Sequence, residues 1–238
     1  MSKIKAVLFD LDGTLLPMDQ DTFIAAYFGE LVKKFAPMGY DPKEFVAGIW
    51  QGTKAMVTNN GNKLNEERFW DSFSAVVGDS IREKTEDFDE FYENRFCRVQ
   101  VSCGHEPRAV SVIEKVKEKG LRAILATNPI FPAAATYQRC AWAGLSPDMF
   151  ELVTTYENSH FCKPNLKYYE EILEKCGLSP DECVMVGNDV GEDMITEALG
   201  MRVFLLTDCI INKDGVDISK YPHGSFDELI DFIGGIND

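Results

Sequence analysis

The sequence predicts an α/β protein: a parallel sheet covered by helices on both faces, with a helical segment inserted after the first strand. Three observations predict it. Five short runs of β character, at 5–9, 121–126, 152–155, 183–186 and 202–206, are each bounded by turn or helix signals. The later runs alternate with helical patterns, as crossover connections of a parallel sheet require. The interval 10–120 between the first two runs is far too long for one crossover helix.

Each element has a local reason. The first run, Lys-Ala-Val-Leu-Phe, ends in Asp10-Leu11-Asp12-Gly13-Thr14. Within the long interval, 21–36, 42–58, 65–77 and 86–98 read as helices. Polar, glycine-containing breaks separate them, at Met38-Gly39-Tyr40-Asp41 and Thr58-Asn59-Asn60-Gly61-Asn62. Pro107 opens a helix with Ala109, Val112, Ile113 and Val116 at 3–4 spacing and Gly120 at its end. The second run ends in Thr127-Asn128-Pro129, and Pro132 opens the next helix. Lys163-Pro164 stands ahead of a helix through Tyr168, Ile172 and Leu173. The fourth run ends in Gly187-Asn188-Asp189-Val190-Gly191-Glu192-Asp193, and a helix over 226–233 closes the chain.

Composition narrows the function. The 238 residues carry 39 Asp+Glu against 24 Lys+Arg, a formal charge of −15, and 45 % are hydrophobic. Such a chain can bury a core and is not a disordered acidic tail. Its field repels polyanions, so neither nucleic acid nor an anionic membrane is an expected partner. The longest unbroken apolar run, 23–28, is six residues, against about twenty for a membrane span. Only four apolar residues follow the basic start before Asp10, so no secretory signal is expected. The seven cysteines are odd in number and form no C-x-x-C pair, which favours free thiols and a cytoplasmic protein.

Four polar islands carry the chemistry. Asp10 and Asp12, two apart on extended chain, direct both carboxylates to one side, and Gly13 permits a tight turn. Two such carboxylates repel unless one is protonated or a cation lies between them. Thr127 and the N–H groups that follow make a modest anion site before a helix. Lys163 precedes a helix, where a cation gains nothing from the local dipole. The last island places three acids within five residues, 189–193. Taken singly, these read as an acidic turn, turn chemistry, a solvated lysine and helix-start acids. Taken together, they lie at strand carboxyl ends, where an open parallel sheet binds its ligands. If the first strand is flanked by the second and fourth, all four meet. The inventory of acids, one lysine and one threonine suits Mg²⁺ and a phosphoryl group, with a carboxylate as nucleophile.

In this order, D-x-D-G-T, Thr, Lys and an acidic motif, the residues resemble the haloacid-dehalogenase superfamily. Lys163-Pro164…Tyr168, Gly177-Leu178-Ser179-Pro180-Asp181-Glu182 and Val186-Gly187 are similar to its phosphoglycolate-phosphatase and β-phosphoglucomutase branch. The resemblance implies a Rossmann-like sheet of order 3-2-1-4-5, a catalytic core over 1–14 and 101–238, and a helical cap over 15–100. It implies a Mg²⁺-dependent phosphatase for a small phosphorylated metabolite, working as a monomer or homodimer. Asp10 is then the nucleophile and Asp12 the acid and base. Lys163, Thr127 and Asn128 bind the phosphoryl group. Asp10, Asp12 (through its carbonyl), Asp189 and Asp193 serve the metal.

One departure concerns the last motif. The family's commonest form begins Gly-Asp, whereas here it is Gly187-Asn188-Asp189. The spacing Asp189-x-x-x-Asp193 assigns the ligand to Asp189; a register set by Gly187 would put Asn188 there instead. Other readings compete. Asp12 favours phosphate esters over dehalogenation. A phosphosugar mutase needs a cap that excludes water, and a phosphonate hydrolase needs a cap lysine, for which Lys54 is the candidate. A receiver-like protein has its acidic pair first and its acceptor aspartate on a later strand, the reverse of the order here; a non-catalytic phosphoryl-binding protein on the same fold would have little reason to keep every catalytic residue type. The cap matches no readable motif; Gln51, Lys54 and Arg68 could reach a phosphorylated substrate, yet exposed helix faces carry such residues routinely.

Overall fold

The computed structural model describes residues 3–237. Its sheet is all parallel, with β1 (Ala6–Phe9), β2 (Arg122–Leu125), β3 (Cys183–Gly187), β4 (Arg202–Leu206) and β5 (His223–Gly224) in the spatial order β2-β1-β3-β4-β5. The first strand is therefore central, between the second and the one ending in the acidic motif.

The edges differ from expectation. The run 152–155 lies outside β2, where the expected order puts it, but as a single bridge between Val153 and Leu125. Leu125 N–H donates to the Leu152 carbonyl at 2.8 Å, and Thr154 N–H to the Leu125 carbonyl at 3.1 Å. The Thr154 hydroxyl then bonds the Thr127 carbonyl (2.7 Å), a side-chain contact in place of the next ladder rung. At the other edge β5 adds two residues, too few to leave a periodic signal in the sequence.

Strand periodicity divides the core into two layers. Val7 and Phe9 face a cluster completed by Val112, Ile113 and Val116 of α5 (Ala109–Glu118) and by Leu229 and Ile233 of α8 (Phe226–Gly234). Ala6 and Leu8 face the opposite cluster, with Tyr168, Tyr169, Ile172 and Leu173 of α7 (Leu166–Cys176). Each large apolar side chain so buried contributes roughly 1.5–3 kcal/mol before entropy is counted.

The chain between β1 and α5 is mainly helical: α1 (Gln20–Phe35), α2 (Pro42–Val57), α3 (Asn65–Val77), α4 (Thr85–Asn94) and short 3₁₀ turns, with an isolated bridge between Met18 and Cys103 joining its two ends. Asp41 caps α2 by accepting from the N–H groups of Lys43 and Glu44 (2.9 and 3.0 Å), and Pro42 fills the first turn. Helices α2 and α3 approach closely because Gly52 has no side chain. A Cβ there would lie 2.5 Å from the Phe69 ring. Phe35, Phe45, Phe73 and Phe88 fill the centre of this bundle, with Phe35–Phe45 centroids 4.8 Å apart. The helix expected over 86–98 stops at Asn94, and Phe96–Ser102 continues as 3₁₀ turns. Tertiary packing overrides the helical pattern here, since Phe96 is buried and stacks on Trp142 of α6 (Ala133–Trp142) at 5.0 Å. Among the described residues, no helix is long and apolar enough to cross a membrane.

Candidate active site

The carboxyl ends of β1, β2 and β3 converge on one cavity of about 510 Å³. Asp10 extends β1 by one residue, its N–H donating to the Val186 carbonyl at 2.9 Å. The chain then reverses at Gly13, whose φ is +87°. A Cβ at Gly13 would lie 2.4 Å from the Asn188 amide nitrogen, so both dihedral and space demand glycine. The turn returns Thr14 beneath the nucleophile candidate. Its hydroxyl hydrogen is shared between Asp10 Oδ2 (3.1 Å) and Asn188 Oδ1 (2.9 Å).

Lys163 is buried, and its Nζ bonds Asp10 Oδ1 at 2.8 Å and Asp193 Oδ1 at 2.6 Å. Burial pushes this ammonium down, but the two carboxylates overcome it and hold it well above its ordinary value. Asp193 is pushed up by burial and by Asp10, with Lys163 pulling the other way. One cation thus fixes two buried carboxylates, and it presents Asp10 with one oxygen held by an ammonium and the other by a hydroxyl.

Haloacid dehalogenase-like hydrolases match residues 4–196. The chain belongs to that family. It is 30 % identical over 122 residues to the glyceraldehyde 3-phosphate phosphatase of Methanothermobacter thermautotrophicus, a match spanning 48 % of this chain and 52 % of that protein. To the glyceraldehyde 3-phosphate phosphatase of Methanocaldococcus jannaschii it is 26 % identical, over 97 % of both chains. Among solved structures, the magnesium-bound HAD-hydrolase YfnB of Bacillus subtilis superposes with a TM-score of 0.56 at 18 % identity, covering 98 % of this chain and all (100 %) of that one.

Within this hydrolase, Asp10, Asp12, Thr127, Asn128, Asp189 and Asp193 all line the same cavity, with Lys163 directly behind Asp10 and Asp193. Thr127 is held by its carbonyl, which accepts from Thr154 Oγ1 (2.7 Å) and Tyr168 OH (2.8 Å). Asp189 Oδ1 accepts from the N–H groups of Gly191 and Glu192 (2.7 and 3.0 Å), bonds that leave Oδ2 uncommitted. The Asn188 amide is engaged at both ends, by Thr14 and by the Cys209 carbonyl (2.7 Å). Asp193 Oδ2 accepts from Asp189 N–H at 3.1 Å, so both of its oxygens serve protein donors.

Sequence reasoning missed one feature, and counted a second among the acids of the last island without giving it a role. Arg139, at mid-α6, is almost fully buried and bonds Asp12 Oδ2, with its guanidinium 4.5 Å over the Phe131 ring. Its signal was a charged residue among Ala135, Cys140, Trp142 and Ala143 on an apolar helix face. Burial raises the Asp12 carboxyl, Arg139 lowers it, and Asp10 adds to the rise; the net displacement is upward. The other oxygen, Oδ1, is buried without a partner. The second feature is Glu192, whose carboxylate accepts from Asn128 Nδ2 at 3.2 Å and is raised chiefly by burial.

The three cap candidates lie away from the cavity. Gln51, Lys54 and Arg68 line a separate groove between α2 and α3, together with Asp71, and none of them lines the cavity of Asp10. They lie on the opposite flank of the α2–α3 pair because the faces toward the cavity carry Ile49, Trp50, Thr53, Phe69 and Trp70.

Proposed function

We propose that this hydrolase cleaves the phosphate ester of a small metabolite in two steps, with Asp10 as the nucleophile. The observation that carries the reading is the arrangement around Asp10, with Lys163 on Oδ1, Thr14 on Oδ2, and Asp12 two residues on in the same cavity. Attack of Asp10 on phosphorus forms an aspartyl-phosphate and breaks the ester bond. Asp12, with a carboxyl raised toward protonation, gives its proton to the leaving oxygen and then takes one from the attacking water. Lys163 neutralises charge on Asp10 and on the phosphoryl oxygens, while Thr127 and the Asn128 N–H take another oxygen. Positioning and preorganised charge carry most of the rate in such transfers.

The donor set suits Mg²⁺, which takes hard oxygen ligands and retains several waters. Asp10, the Asp12 carbonyl and Asp189 would hold it, with Asp193 fixing Asp189 and Lys163 from behind. Among the described residues no three His, Cys, Asp or Glu side chains form a ready cage, as fits a set completed by a backbone carbonyl, water and phosphate. When bound, the ion offsets the charge of the carboxylates and of the phosphoryl group. The engaged amide of Asn188 and the uncommitted Oδ2 of Asp189 favour Asp189 as the ligand. The family resemblance supports the same reading, including a core over 1–14 and 101–238 and a cap over 15–100.

The test is phosphate release from a panel of phosphorylated metabolites with and without Mg²⁺, for wild type and Asp10→Asn. Turnover that needs Mg²⁺ and vanishes in the variant supports the reading. Metal-independent turnover, or an active variant, overturns it.

A further inference from the structure

The cavity above Asp10 has two unlike ends. At the sheet end lie the carboxylates and Thr127. Toward the helical cap the walls are rings: Phe28 of α1, Trp50 of α2, Trp70 of α3, and Phe131 and Tyr156 from loops of the sheet domain. These five are only partly buried: Phe28, Trp70, Phe131 and Tyr156 pack against the core on one side and border the cavity on the other, the Arg139 guanidinium lies over Phe131, and Trp50 remains 48 % exposed. Phe28 and Trp50 stand together, with centroids 5.4 Å apart.

The charge of this end is as informative. Among the described residues lining the cavity there is no lysine or arginine, while Glu66, Asp89 and Glu157 lie on the cap side. Glu157 is committed to the Ala133 N–H at the start of α6 (2.9 Å). Glu66 is pushed up by burial and by the neighbouring Glu157 and Glu67. The nearest cations, Lys163 and Arg139, are each bound to carboxylates at the sheet end. A second anionic group on the substrate would thus face acids with no counter-charge, a repulsive element that discriminates as strongly as any attraction. An aromatic ring would stack, and an amine on it would meet both carboxylates and ring faces.

We propose that the substrate is the phosphomonoester of an aromatic alcohol, with a neutral or amine-bearing ring and no second anion. The assignment rests on the phosphatase reading above and narrows it. Compounds with a carboxylate or second phosphate on the leaving group, such as phosphoglycolate, pyrophosphate and sugar bisphosphates, are disfavoured.

Three aryl esters test it: phenyl phosphate, and tyramine phosphate against 4-carboxyphenyl phosphate as a pair of similar size and opposite charge, with phosphoglycolate as the small anionic comparison. The phenyl and tyramine esters should exceed the other two in kcat/KM by roughly 10-fold or more. In Trp50→Ala the ratio of phenyl phosphate to phosphoglycolate should fall toward one. Equal or faster turnover of the carboxylated ester or of phosphoglycolate overturns the assignment but leaves the phosphatase reading intact. Binding provides a second readout, in Asp10→Asn with Mg²⁺, through the fluorescence of Trp50 and Trp70. Should no ester turn over, which would count against the phosphatase reading, this titration still decides: tighter binding of tyramine phosphate than of 4-carboxyphenyl phosphate supports the assignment, and the reverse order or parity sinks it.

Discussion

Lys163 holds two buried carboxylates with one ammonium, at 2.8 and 2.6 Å, and this asymmetry sets what its loss would do. Lys163→Met leaves Asp10 and Asp193 buried without a counter-charge. Breaking a buried pair in this way costs about 3–5 kcal/mol, so the variant should melt at a distinctly lower temperature and lose phosphate release together. A variant that kept wild-type stability would show that the two carboxylates are not held as described. Arg139 pairs with one carboxylate, Asp12, and also donates to Thr136 Oγ1 (3.3 Å) and lies over the Phe131 ring. Arg139→Met removes the donor that fixes the Asp12 rotamer, and a displacement of about 1 Å at a proton-transfer group can cost about 10²-fold in rate. The expected result is a kcat lower by that order. If both residues serve one step, as proposed, adding Arg139→Met to Asp12→Asn should cost little more than Asp12→Asn alone. Additive losses in that cycle would separate Arg139 from the action of Asp12.

Helix α3 is tied to the sheet domain at its first turn. Asn65 N–H donates to the Ser159 carbonyl (2.8 Å) and Glu66 N–H to that of Tyr156 (3.0 Å). The Asn65 amide reaches the carbonyls of Pro129 and Phe161 and accepts from Asn59 Nδ2 at 2.9 Å. Asn65→Leu strands several of these buried groups, at about 1–3 kcal/mol for each left unpaired. Thermal melts should show that loss, and hydrogen exchange should place the faster amides in the first turn of α3. Unchanged exchange there would mean the tie is not what holds the helix. Such long-range ties are invisible in sequence, which is why Asn65 read only as a helix start. The legible elements were those governed by local pattern: the apolar run 5–9 of the first strand, the helix from Pro107, and the helix over 42–58 after the polar break that ends at Asp41. The 86–98 helix was misread because Phe96 answers to Trp142 rather than to its own neighbours. The site was legible at Asp10, Asp12, Thr127 and Lys163 because strand ends of a parallel sheet must converge. The cap was not, since helical spacing does not reveal which flank of α2 meets the cavity; Lys54 and Arg68 could be named as candidates or as routine surface residues, and they lie on the other flank.

At the scale of the molecule, the charge of −15 is not evenly harmless. Asp10, Asp12, Asp189, Glu192 and Asp193 crowd the sheet end of one cavity, with only Lys163 and Arg139 bound among them. The native state therefore carries a concentrated negative excess that the unfolded chain disperses, and a bound divalent cation should relieve it. A ligand present at a hundred times its dissociation constant stabilises by about 2.7 kcal/mol when it binds only the folded state. Mg²⁺ should accordingly raise the melting temperature by more than NaCl does at matched ionic strength, because general screening acts over the whole surface whereas the cation acts at these carboxylates. Asp189→Asn should shrink that Mg²⁺-specific increment, and Asn188→Ala should lower stability while leaving most of the increment in place, since its amide serves Thr14 and the Cys209 carbonyl. A melting shift no larger with Mg²⁺ than with matched NaCl would remove the metal from this cavity. A shift lost in Asn188→Ala but kept in Asp189→Asn would move the ligand to the neighbouring position, where the register set by Gly187 places it.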